Sequence, residues 1–240
     1  MAFFESISQN HEPLNVVTPA YEFMEQKLGT EGMALLDGQL HKLQQLNERP
    51  LHSPLRDSLR RGNTTLPQGT LLHGMGMHAL FDEEAFSSVA HLGIVSGELV
   101  GVYEDAETHG CADFFKVPAD TTVGLYIKYA KETVQDGNLR RGRGERLLGR
   151  GVVFIIDPNA EGMTELTKHD GYTDPEMQGF VHPPSGRTAM DTAAILGGVP
   201  KGAIAGIIVD QKLLDNPTTL ETIRTYFPYT PVLDHTGALH

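Results

Sequence analysis

The stretch GVVFIID, residues 151–157, constrains the fold most. Val152, Val153, Ile155 and Ile156 are β-branched, and the run from Val152 to Ile156 is apolar throughout. Such a segment fits a pleated, fully buried surface, so it belongs centrally in a sheet. LLHG (71–74), CADFFKV (111–117), TVGLYIKYA (122–130) and AGIIVD (205–210) read as further strands. IVSGELVGVY (94–103) alternates around two glycines and reads as a strand or a bulged pair.

Helical signals concentrate before these strands. Thr18-Pro19 pairs a capping hydroxyl with proline in the first turn, and Gly29 closes that helix after Leu28. Thr30 caps a second helix, in which Met33, Leu36, Leu40 and Leu43 recur at three and four until Pro50. Residues 18–48 therefore read as a helical hairpin, and 50–66 as a polar connector. Asp82 opens a helix with Ala85, Phe86, Val89 and Leu92 on its buried face, stopped by Gly93. Asn216-Pro217 starts another that Pro228 stops, and the tail beyond offers an edge strand. Residues 158–190 read as one long loop. Helices first and strands afterwards argue for an α+β fold with a mixed or mainly antiparallel sheet. We divide the chain into an N-terminal arm and helical hairpin (1–66) and an α+β catalytic-like domain (67–240).

A net charge of −12 disfavours duplex DNA as a partner. One basic run opposes that balance: LRRGRGERLLGR carries Arg140, Arg141, Arg143, Arg146 and Arg150. It reads as a solvated loop, or as a phosphate clamp centred on Arg143, because guanidinium forks match phosphate oxygens. A single cysteine fits a reducing compartment, and the N-terminus lacks the pattern of a secretory signal, so a cytoplasmic location is expected. No apolar run approaches the ~20 residues of a membrane-spanning helix, so no membrane partner is expected.

The reactive side chains cluster at 70–115. His73 follows an apolar run and precedes Gly74, where the imidazole can point into a cleft and a ligand can approach the backbone. The block GVYEDAETHGCADFF adds Tyr103, Glu104, Glu107, His109, Cys111 and Asp113. It reads either as an acidic surface turn or as a site. As a site it supports carboxylate catalysis, or metal binding through His73, His78, Glu107, His109 and Asp113. Its spacing matches no zinc signature, and no P-loop, complete GxGxxG or GxSxG is present. Cys111 as a nucleophile needs His109 beside it; a buried, inert thiol is the commoner arrangement.

Residues 71–97 resemble the opening of the ADP-ribosyltransferase fold. In its histidine branch, which includes poly-ADP-ribose polymerase and tRNA 2′-phosphotransferase relatives, a strand carries an L-x-H-G-T type motif. A helix and a G-I-x-S-G phrase follow. Leu71, Leu72, His73 and Gly74 match, with Met75 in place of threonine; Gly93-Ile94 and Ser96-Gly97 match the phrase. Gly198, Pro200, Ile204, Ile207 and Val209 are similar to the late motif of such folds. The resemblance implies NAD, a nucleotide-sugar substrate, bound in the cleft of a split sheet. His73 would grip the ribose, Gly74 would contact the nicotinamide amide and Tyr103 would stack on the ring. ADP-ribose would pass to a protein or other nucleophile. The family's catalytic glutamate has Asp191 nearest its place; Glu104 and Glu107 are the candidate substitutes. Two alternatives stay open: a catalytically inactive interaction module of the same fold, and a metal-dependent hydrolase.

Overall fold

The computed structural model describes residues 17–76, 83–100, 110–135, 151–175, 177, 181 and 190–240. It is an α+β structure built on a mixed, mainly antiparallel sheet of six strands. Across the sheet run β10 (Val232–Leu233), β9 (Ile204–Val209), β6 (Gly151–Ile156), β2 (Leu71–Gly76), β4 (Cys111–Lys116) and β7 (Thr192–Leu196). Only the β10–β9 pairing is parallel; the other four are antiparallel. The apolar run at 151–156 lies between β9 and β2, buried along its whole length, as its composition predicts.

Alternation along the strands separates two apolar layers. Leu71, Phe114, Phe154, Ile156 and Ile207 join Phe86 and Phe227 in one cluster. Leu72, Val153, Ile155 and Ile208 face another, with Leu55 and Leu59. The helical segment α1 (Val17–Asn47) breaks at Gly29, whose φ of 64° and ψ of −177° interrupt the helical path. Its Met24, Leu28, Met33, Leu36 and Leu40 pack with Cys111, Tyr172, Ala194 and Leu196, at the β4–β7 end of the sheet. Each such side chain contributes roughly 1.5–3 kcal/mol by leaving water.

The helix α2 (Pro54–Arg60) occupies the segment expected to be a connector. Ser53 caps it by accepting the Arg56 amide at 3.1 Å, and Pro54 sits in its first turn. Three more elements follow: β1 (Thr65–Leu66), α3 (Glu83–Leu92) and β3 (Ile94–Val95). The short strand β5 (Thr121–Thr122) pairs with β1 and runs into α4 (Val123–Gln135). So TVGLYIKYA is helical and not a strand. Val123, Tyr126, Ile127 and Ala130 are its buried face, at helical spacing, while Leu125 and Tyr129 stay exposed. The expected loop at 158–190 likewise contains α5 (Met163–Thr167). Asp170 then bridges to Ile195 on β7.

The two phrases at 93–97 and 198–200 meet in space. β3 pairs with β8 (Gly198–Val199), Ile94 opposite Val199 and Val95 opposite Gly198. Gly198 has φ 125°, and a Cβ there would collide with the Ile94 carbonyl, so only glycine fits the crossing. After β9 come α6 (Gln211–Leu214) and α7 (Pro217–Tyr226), the latter capped by Asn216 as its sequence predicts. β10 forms the expected edge strand.

Candidate functional site

The strands β2 and β4 pair only at Leu71–Lys116 and Leu72–Phe115. On its other side β2 stays paired with β6 through Gly76. Among the described residues, the ladder between β2 and β4 therefore stops at His73. Antiparallel pairing alternates, so with Leu72 opposite Phe115 the next facing bond would join Gly74 and Asp113. The Asp113 carbonyl instead lies 3.0 Å from Nδ1 of His73. A carbonyl only accepts, so Nδ1 carries the hydrogen and Nε2 is the basic nitrogen when the ring is neutral. The ring is half-buried, tilted at 56° to Phe114 with centroids 5.6 Å apart.

On the far face of β4 the Asp113 carboxylate accepts the phenol of Tyr172 at 2.6 Å. This distance lies in the short range typical of an O–H donor on a carboxylate. Tyr172 is itself fixed: its amide donates to Asp170 Oδ1 at 3.1 Å, and its ring is buried with Cys111 and Ala194. Asp170 also accepts the Ala194 amide at 3.0 Å and Lys116 Nζ at 2.8 Å. The arrangement links His73 to a partly buried carboxylate–ammonium pair through one strand and one turn.

The residues singled out from sequence are distributed unevenly. His73 and Gly74 lie on β2 where the ladder ends. Asp113 meets His73 through its main chain, while its carboxylate turns to Tyr172. Asp191 is exposed, and its carbonyl accepts the Lys116 amide at 2.9 Å. That puts it at the paired end of β4, not at the end where the strands part. Cys111 is buried, and burial first, then Asp113, Glu98 and Asp170, pushes its thiol pKa well above the usual value. This is an inert thiol, not a nucleophile. His78, Tyr103, Glu104, Glu107, His109 and Arg143 lie outside the described residues.

Glu98, buried just before the acidic block, accepts the Gly110 amide and joins the two ends of that excursion. Sequence reasoning passed over it, along with Lys116, Asp170 and Tyr172. Among the described residues, no group of three or more His, Cys, Asp or Glu is placed to hold a metal ion. No helix there is long and apolar enough to cross a membrane. Two shallow depressions, one along α7 at Leu220 and Arg224 and one at Lys168, His169 and Asp174, are not lined by His73. Compared with known proteins, the chain matches no family model, no curated protein and no solved structure.

Proposed function

We propose that the chain is an ADP-ribosyltransferase-like enzyme that uses NAD as substrate and passes ADP-ribose to a protein or other nucleophile. The observation that carries this reading is the parting of β2 from β4 at His73. It supports a split-sheet cleft of the ADP-ribosyltransferase type, with a half-buried imidazole at its inner end. His73, with Nδ1 at the Asp113 carbonyl, is the candidate residue to meet a ribose hydroxyl. Gly74 has no side chain, so an amide-bearing ring can come close to its backbone. Tyr103 is the candidate stacking residue and Arg143 the candidate phosphate contact.

The chemistry follows the family pattern. The bond between the ribose C1′ and the nicotinamide nitrogen breaks, and nicotinamide leaves with the bonding electrons. The sugar passes through an oxocarbenium-like state that a carboxylate stabilises. The acceptor then bonds C1′ and gives its proton to a base. Glu104 and Glu107 are the candidate carboxylates, with Asp191 the third. The place of Asp191 at the paired end of β4 favours a second reading, a binding module of the same fold that holds the nucleotide without turnover.

Calorimetry with NAD and an assay for released nicotinamide separate these readings. The enzyme binds NAD and releases nicotinamide, and His73→Ala loses both. The binding module binds without release. Absence of binding and of release overturns the proposal.

A further inference from the structure

We propose that the first part of α1, residues 17–28, is an exchangeable arm, and that the surface it covers is a docking site for the same arm of a second copy of this chain. The inference stands apart from the NAD reading.

A single residue joins the arm to the rest of α1. Gly29 is where the φ and ψ of Val17–Asn47 leave the helical range, at 64° and −177°. That combination is open to glycine and to almost no other residue. A Cβ added there would meet nothing within 4 Å, so the backbone alone demands the glycine. The bend brings two distant side chains of α1 onto one spot. Met24 Sδ and Leu36 Cδ2 each lie 3.4 Å from where a Cβ on Gly110 would stand. These residues are twelve positions apart, so a straight helix would hold them about 18 Å apart along its axis.

Among its described side chains the arm buries only Met24 and Leu28, one helical turn apart on one face. Their seat belongs to the body of the fold: Met33, Leu36 and Leu40 beyond the bend, with Cys111 and Leu196 of the sheet. If Gly29 turns helical, α1 runs straight, Met24 leaves Gly110 and the seat falls vacant. A second straightened copy brings the one ridge that already fits that seat. The exchange closes on itself. Met24 against Leu36 sets the two α1 helices antiparallel about residue 30, so each arm reaches the other copy's seat and both hinges lie at a two-fold axis. The contacts of the bent monomer are remade between chains, and the strain at both Gly29 hinges is released.

Light scattering after size-exclusion chromatography measures the mass of wild type and Gly29→Ala over a range of concentrations. Gly29→Ala should raise the dimerisation constant about 100-fold or more, because two strained hinges relax in each dimer. Isotope-filtered NMR then identifies the contact. Chains 13C-labelled at the methionine methyls are mixed with chains labelled at the leucine methyls, and Met24→Ala and Leu36→Ala identify the two signals. In the dimer a Met24–Leu36 contact should cross from one chain to the other. The same crossing in a dimeric wild type also supports the exchange. A folded Gly29→Ala protein that stays monomeric overturns the inference, and so does a dimer without the crossing. If Gly29→Ala does not fold, wild type unfolded in urea and refolded at high concentration is measured in the same way. A refolded dimer with the crossing supports the exchange, and a product that is monomer alone overturns it.

Discussion

His73 and Asp113 meet side chain to main chain: the imidazole donates to a carbonyl that regular pairing would have given to Gly74. A side chain takes the place of a ladder bond, and the sheet parts there. The substitution of partner satisfies the carbonyl, so the opening does not carry the cost of an orphaned buried acceptor. This lets a sheet be fully paired on one side of β2 and open on the other.

The pair Lys116–Asp170 anchors that region, and its removal should be felt globally. Asp170 is buried and accepts two main-chain amides besides the ammonium. Asp170→Ala orphans both amides and leaves Lys116 without its carboxylate, at a cost of about 3 kcal/mol. For a chain of this size the midpoint of thermal unfolding should fall by roughly 6–12 °C. Lys116→Met, which spares both main-chain bonds, should cost less, and calorimetric unfolding of the two variants compares them.

Asp234 makes stability depend on pH at the acid end. Burial opposes its ionisation, but the Thr236 hydroxyl, the Ala238 and Thr236 amides and His240 outweigh this and lower its pKa from 3.8 to about 2. A carboxyl with a lowered folded-state pKa adds stability that is complete above the unfolded value and is lost as pH falls through the folded one. Asp234→Asn should therefore be less stable than the wild type by about 1–2 kcal/mol at pH 5–7. The gap should shrink between pH 4 and pH 2. Urea unfolding across that range measures it, and a gap independent of pH contradicts the assignment.

Two glycines should respond to alanine with opposite signs. Gly38 lies on an exposed turn of α1, and a Cβ added there would meet nothing within 4 Å. Gly38→Ala should therefore stabilise by about 0.5–1 kcal/mol. Gly198→Ala forces a Cβ onto the Ile94 carbonyl at φ 125° and should destabilise by at least about 2 kcal/mol. Chemical denaturation reads both.

Cys111 should resist alkylation in the folded protein. Its thiol is buried and its pKa raised, so native reaction at pH 8 should be at least about 100-fold slower than in urea. Fast native labelling contradicts its place in the packed layer.

Much of the frame was legible in the sequence. The β-branched run at 151–156 marked the central strand, and Asn216-Pro217 marked the start of α7. The misreading at 122–130 has a definite cause. Val123, Leu125, Ile127 and Tyr129 alternate as a strand face does, while Val123, Tyr126, Ile127 and Ala130 fit a helix equally well. Burial decided for the second set. In α2 the Ser53-Pro54 signal was present, but seven residues with only Leu55 and Leu59 buried give little periodicity. His73 was visible because glycine follows it. Tyr172 was not, since its partner Asp113 lies 59 residues away and nothing local marks the tyrosine. Long-range polar pairs leave no period to read.

Binding of NAD to the full chain by isothermal calorimetry, wild type against His73→Ala, tests the central claim most directly. The account predicts saturable one-to-one binding by the wild type and its loss in a folded His73→Ala protein. Equal affinity in the two, or no heat of binding in either, contradicts it.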